Sequence, residues 1–356
     1  MVGARPQFIK MGPVSRALAG HAEEVVVHTG QHYDPQMSAL FFDELDIAEP
    51  AYHLGVGSGR HGEQTGRALA GVEAVILEQR PDAVVVYGDT NSTLAGALAA
   101  AKLHVPVAHV EAGLRSFNRA MPEEVNRVLT DHCSTLLFAP TRDAVEHLRR
   151  EGIERGVQLV GDVMYDSALQ LLPAARERFA GLAGELGIKS GGYLLATVHR
   201  AENTDDPVRL ANILRALGQC GLPVILPLHP RTAAAIARHE LGDSVTAAGG
   251  LRLIAPVGYL DMLGLESAAR AILTDSGGVQ KEAYFVGTPV VTVRDETEWV
   301  ETVAAGWNQV VGTDPDRILA ALAAAAKGSP IEDYGDGRAA SRIVEALLSL
   351  DRASGV

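Results

Sequence analysis

Ala83-Val-Val-Val-Tyr-Gly-Asp-Thr-Asn-Ser-Thr93 decides the fold. Its apolar run does not alternate with polar residues, so it reads as a strand covered on both faces, as in a parallel sheet. Gly88 then turns the chain, and a helical stretch over Thr93–Leu103 follows. The same rhythm recurs outward from this unit. Val25–Val27, Val105–Val110, Leu136–Ala139 and Val157–Val160 are further strands of the first half. Tyr193–Val198, Pro223–Leu228, Leu251–Ile254, Ala271–Thr274 and Pro289–Val293 repeat the pattern in the second. Helices are expected between them, including Gln64–Arg80, Pro207–Gly218 and Gly277–Phe285. The expected class is α/β, with two Rossmann-like doubly wound domains and right-handed crossovers.

A chain of 356 residues suits two domains of roughly 100–200 residues each. The Ala/Leu/Arg-rich stretch Tyr165–Leu186 marks the boundary, giving domains over 1–166 and 167–340. The closing helix, Arg338–Ser349, is assigned back to the first domain as part of 341–356. Two such domains facing each other would leave a ligand cleft at the carboxyl ends of their strands. Gly3-Ala-Arg-Pro6 resembles the loop after a first strand, yet only Met1 and Val2 precede it, so that strand is very short or starts upstream.

Charge narrows the partners. Lys and Arg number 31 against 44 Asp and Glu, a net charge of −13, which disfavours nucleic acid. There is no apolar run of the roughly 18–20 residues that a membrane span requires, and no signal-like start, so a cytoplasmic protein is expected. Cys133 and Cys220 have no metal-type spacing and read as buried thiols. Without HExxH, paired CxxC or GxxxxGK[ST], no metal or cofactor is expected.

Ionisable groups gather just past the apolar runs. Asp89 is a catalytic carboxylate or a helix N-cap. Glu111 and Arg115, four apart in His109-Val-Glu-Ala-Gly-Leu-Arg115, could form an intrahelical pair, but Gly113 argues for a loop. Glu123, in Met121-Pro-Glu-Glu-Val-Asn-Arg127, either completes a well-capped helix start or faces the cleft. Three acids held close would raise one another's pKa and ready one to give and another to take a proton. In the second half, Ser276, Gly277 and Gly278 open a helix after a strand, an arrangement that offers N–H groups to a phosphate. Glu282, two turns on, could accept from ribose hydroxyls, and the competing reading is a plain glycine turn. His199 and Arg200 end a strand; a structural histidine is the alternative. Arg5, Lys10, Arg115, Arg127, Arg200 and Arg231 collect beside these positions, fitting an anionic ligand or a solvated scatter of charge.

With these segments in order, the chain resembles the non-hydrolysing UDP-N-acetylglucosamine 2-epimerases. The likeness runs from Gly3 to Arg342 and includes Gly312-Thr-Asp and Tyr334-Gly-Asp-Gly-Arg338. It implies a glycosyltransferase-B-like fold, a homodimer, and a cofactor-free reaction in which UDP leaves a UDP-sugar and is added back with C2 inverted through a 2-acetamidoglycal. It implies that Asp89, Glu111, Glu123 and His199 are catalytic. Arg5 and Lys10 would belong to a moving first loop. Arg115, Arg127, Arg200, Ser276, Gly277, Gly278 and Glu282 would bind the substrate. Arg5-Pro-Gln-Phe8, His199-Arg-Ala-Glu202, Thr297-Glu-Trp-Val-Glu301, Gln31-His-Tyr-Asp34 and Leu228-His-Pro-Arg231 depart from the simplest pattern. Together with Arg115-Ser-Phe-Asn118 and Asn203-Thr-Asp-Asp-Pro207, they resemble the branch acting on UDP-2,3-diacetamido-2,3-dideoxy-glucuronate. Gln7 in place of a glutamate would remove a like-charge clash with that acidic sugar. A glycosyltransferase of the same fold is the alternative, and a nucleotide-sugar sensor would require the acids to be missing.

Overall fold

The computed structural model describes residues 1–31, 47, 49–242 and 249–350. The chain divides into two compact units, Met1–Ser167 with the segment from Glu332 onward, and Ala168–Ile331.

The first unit runs α1 (Arg5–Leu18), β1 (Val27–His28), β2 (Tyr52–His53), α2 (His61–Gln79), β3 (Val84–Tyr87), α3 (Asn91–Lys102), β4 (Val107–Val110), α4 (Pro122–Cys133), β5 (Leu136–Ala139), α5 (Arg142–Arg150) and β6 (Val157–Leu159). Strands β3-β4-β5-β6 form one parallel sheet, and β1 and β2 form a parallel pair. Val2 joins the two: it bridges His28 of β1, while the Met1 nitrogen donates to Val85 O of β3 at 2.9 Å. Among the described residues, Val2 forms the one isolated bridge to β1 here. Helix α6 (Val163–Leu186) leads out of this unit, and α14 (Ala339–Leu348) returns to it and packs on α1.

The second unit contains β7 (Leu194–Thr197), α7 (Ala201–Thr204), α8 (Pro207–Gln219), β8 (Val224–Pro227), α9 (Pro230–Arg238), β9 (Leu251–Ile254), α10 (Tyr259–Ala268), β10 (Ala271–Thr274), α11 (Gly277–Val286), β11 (Val290–Thr292), α12 (Val300–Ala304), β12 (Asn308–Val310) and α13 (Pro315–Ala324). Its all-parallel sheet has the order β12-β11-β10-β7-β8-β9. The order reverses between β7 and β10, and open α/β sheets bind ligands beyond the carboxyl ends of such a pair.

Continuous apolar runs become central strands, because helices cover both faces. β4, β7 and β10 are buried along their whole length, whereas edge strands β6 and β9 stay partly exposed. Leu194, Ala196, Leu273 and Val291 pack with Leu210, Leu214 and Ile318 in the core of the second unit. Cys133 and Cys220 are unpaired and half-buried, not fully buried as expected. Among the described residues, no helix is long and apolar enough to cross a membrane.

Helix α4 departs from ordinary amphipathicity. Val125 and Leu129 are 43% and 46% exposed, while Glu124, Asn126, Arg127, Thr130 and Asp131 are buried. Polar side chains at helical spacing point inward, where a core helix would carry aliphatic ones.

Candidate active site

In the first unit, the site is built on the ends of β3 and β4. Gly88 follows β3 with φ +63°, a conformation that glycine adopts without penalty. Thr90, not Asp89, is the N-cap of α3 and accepts from Thr93 N at 3.3 Å. Asp89 is therefore released from capping. Its carboxylate meets Arg127 Nη2 at 2.5 Å, and its carbonyl accepts from Asn126 at 3.0 Å.

Glu111 follows β4 in a turn, with φ +75°. Its carboxylate pairs with Lys10, and about a tenth of each side chain reaches solvent. Lys10 lies within α1, not in a loop, because the helix begins at Arg5. The Arg5 side chain lies outside the described residues, as do His32, Tyr33 and Asp34. Burial works against the charge on Arg127, but Asp89, Glu124 and Glu111 outweigh it and raise its pKa. Asp89 and Glu111 thus share one cationic neighbourhood.

Glu123 is exposed on the first turn of α4 and does not join this bonded group. Its neighbour Glu124 turns inward, accepting from Ser116 N, Phe117 N and Arg127 Nη1 at 2.9–3.1 Å. Arg115, expected to bind substrate, is buried and engaged by the protein: it donates to Asp131 and twice to Glu151, each at 2.7 Å. It does not pair with Glu111, so the intrahelical reading fails as well.

Gln7 is bonded on both sides within the protein. Its side-chain oxygen accepts from Gly3 N and Ala4 N at 2.7 and 3.0 Å, and its amide donates to Tyr87 O and Thr93 Oγ1 at 2.8 and 2.9 Å. A glutamate there would set a carboxylate against the Tyr87 carbonyl. The exchange thus has a structural reason apart from any sugar.

In the second unit, the residues after β7 and β10 meet where the strand order reverses. Asp275 accepts from His199 N, Arg200 N and Asn203 Nδ2 at 3.0–3.1 Å, holding the two loops together. Burial lowers the His199 pKa, with Arg200 and Arg231 adding to that effect against Asp275. Ser276 caps α11. A Cβ on Gly277 would lie 2.4 Å from Glu298 Oε1, so the carboxylate approaches the helix start only because no side chain intervenes. Glu298 pairs with Arg294 at 2.7 Å and lies 3.9 Å from Arg200. Burial alone would raise its pKa, but Arg294 and Arg200 bring it below the usual range. A Cβ on Gly278 would lie in ordinary contact with Ser276 Oγ at 3.9 Å, and Glu282 is buried within α11. Arg231 faces Asp205 at 2.8 Å. The sequence alone assigns no individual part to Asp131, Glu124, Asp275 or Glu298. For Asp131 a signal existed: Glu124, Arg127 and Asp131 recur at helical spacing.

The family model described as UDP-N-acetylglucosamine 2-epimerase matches residues 16–348. The chain belongs to this family. The epimerase is 52% identical over 362 residues to the UDP-2,3-diacetamido-2,3-dideoxy-D-glucuronate 2-epimerase of Pseudomonas aeruginosa, covering 98% of this chain and 99% of that one. It is also 52% identical over 352 residues to a UDP-N-acetylglucosamine 2-epimerase homolog of Methanococcus maripaludis, with the same coverage. Among solved structures, the Methanocaldococcus jannaschii UDP-GlcNAc 2-epimerase in complex with UDP-GlcNAc and UDP is similar at TM-score 0.90 and 44% identity, covering 97% of this chain and 98% of that one. The epimerase thus shares the α/β architecture of its solved relatives.

Proposed function

We propose that this epimerase inverts C2 of a UDP-2-acetamido sugar by eliminating UDP and adding it back. The observation that carries this reading is the pair Asp89 and Glu111, two carboxylates just past neighbouring strands, the first bonded to Arg127 and the second to Lys10. In the forward half, the C1–O bond breaks and its electron pair leaves with UDP. The C2 proton passes to a carboxylate, and a C1=C2 double bond forms. In the return half, C2 is protonated on the opposite face, and the same phosphate oxygen rebuilds the bond to C1.

Carboxylates suit this reaction because they stabilise positive charge developing at C1 and carry the proton. Glu123, exposed on the first turn of α4, is assigned to the same acid–base group on the family resemblance. Lys10 and Arg127 supply fixed positive charge. The diphosphate is assigned to Ser276, Gly277, Gly278 and Arg200 of the second unit, and the ribose to Glu282. With its lowered pKa, His199 offers a neutral imidazole to the diphosphate or sugar at neutral pH.

For the sugar, we infer UDP-2,3-diacetamido-2,3-dideoxy-glucuronate. The 52% identity to the Pseudomonas enzyme, together with the segments Arg115-Ser-Phe-Asn118 and Asn203-Thr-Asp-Asp-Pro207, supports this choice, while the M. maripaludis UDP-N-acetylglucosamine 2-epimerase homolog is equally identical. UDP-N-acetylglucosamine is the second reading, favoured by the UDP-GlcNAc-bound relative. Both sugars are to be incubated with the enzyme in deuterated water and followed by NMR. The expected result is deuterium at C2 and a gluco/manno mixture, with the higher kcat/KM for the diacetamido sugar. A higher kcat/KM for UDP-N-acetylglucosamine would transfer the assignment, and no C2 exchange with either would end the epimerase reading.

A further inference from the structure

Beneath the two carboxylate-bearing turns lies a buried polar chain. His109, on β4, is fully buried, and both of its ring nitrogens face oxygens: Nε2 donates to Gly88 O at 2.8 Å, and Nδ1 meets Asp131 Oδ1 at 2.7 Å. The other oxygen of Asp131 accepts from Gly113 N at 3.1 Å and from Arg115 Nη1 at 2.7 Å. Glu151 holds the far side of the Arg115 guanidinium through two bonds of 2.7 Å. Burial by itself would raise the Asp131 pKa, but His109 and Arg115 outweigh it and bring it below the usual range.

The two ends of this chain matter for the reaction. Gly88 immediately precedes Asp89, and Gly113 lies two residues after Glu111. Gly113 has φ +82°, and a Cβ there would lie 2.3 Å from Ala144 O, so the turn has no room to drift on that side. One carboxylate, reaching one turn through His109 and the other directly, therefore fixes the distance between the two backbones that present the acids. His109, Arg115 and Asp131 are buried, and Glu151 alone of the four is partly exposed.

We propose that Asp131, acting through His109, is a positioning residue that sets the spacing of Asp89 and Glu111. The inference rests on the reading of those two residues as the acid–base pair. Misplacing a reacting group by about 1 Å is enough to cost about 10²-fold in rate. Binding of free UDP, assigned to the second unit, is unaffected.

The test uses the full chain and three variants, with kcat and KM measured on whichever UDP-sugar the wild type turns over, and UDP affinity measured by calorimetry. Asp131→Ala removes the clamp, and His109→Asn keeps donation to Asp131 while giving up Gly88. Both are expected to lose about 10²-fold in kcat, with KM and UDP affinity within about threefold. Asp131→Asn is the rescue: its oxygen accepts from Gly113 and Arg115, its amide donates to His109 Nδ1, and Nε2 still donates to Gly88. It is expected to keep kcat within about threefold. Should Asp131→Ala fail to fold, His109→Asn carries the test, since it breaks one bond only. Folded variants with wild-type kcat would overturn the inference. So would an Asp131→Asn as damaged as the alanine variant, or a loss of kcat, KM and UDP binding together. A wild type silent on both sugars would instead overturn the reading beneath it, and this inference with it.

Discussion

The Lys10–Glu111 pair makes a quantitative prediction, because two opposing terms meet at one residue. Glu111 sits at φ +75°, and a non-glycine residue in that left-handed region costs about 1 kcal/mol. Glu111→Gly removes the cost. It also leaves the Lys10 ammonium, on a side chain only 10% exposed, without its carboxylate. Losing a hydrogen bond to a charged group costs about 2 kcal/mol, towards the low side of the buried-pair range because some water reaches both partners. The single variant should therefore be destabilised by about 1 kcal/mol, and Lys10→Met, which takes the paired ammonium from Glu111, by about 2 kcal/mol. In the double variant neither charge remains and the strain is gone, so stability should return to within about 1 kcal/mol of wild type. The resulting coupling of about 3 kcal/mol is large enough to read from urea unfolding of the four proteins. Additive single effects would refute the pairing.

Two further outcomes follow from the site and its surroundings. Asp89→Asn and Glu111→Gln should each reduce turnover by at least about 10²-fold yet leave UDP affinity within about 1 kcal/mol, checked by NMR turnover and calorimetry; loss of UDP affinity in both would make them structural. Burial, with the nearby His53 charge, lowers His28 to about 4, while its Nδ1 accepts from Gly30 N at 2.8 Å. Its unfolded state thus binds more protons between about pH 6.5 and 4, so stability present above that window is lost as pH falls through it, by up to about 3 kcal/mol. His28→Asn should flatten this acid slope in urea midpoints taken at pH 7, 5 and 4, and an unchanged slope would refute the assignment.

How much of this was legible depended on whether the signal was local. Central strands such as Leu194–Thr197 and Ala271–Thr274 were readable because burial on both faces demands unbroken apolar residues. Leu251–Ile254 is interrupted by Arg252 and lies at a sheet edge, where it stays partly exposed. Helix α4 misleads for a related reason. Val125, Val128 and Leu129 have the spacing of a core face, and only the tertiary contacts of Glu124, Arg127 and Asp131 reveal that the polar stripe is the inner one. Asp275 and Asp131 bond residues 76 and 22 positions away, so pattern along the chain could not assign them. The cap reading of Asp89 fails because its neighbour Thr90 is the N-cap, a choice between adjacent residues that pattern along the chain does not make.

The four bonds of Gln7 have a mechanical consequence. They tie the start of α1 to the end of β3 and the first turn of α3, and the Lys10 contact adds the turn after β4. The segment that delivers Lys10 therefore cannot swing as a free flap. Any displacement of it drags Tyr87, Thr93 and Glu111 along as one stiff block, and the hinge for such a motion must lie outside these residues.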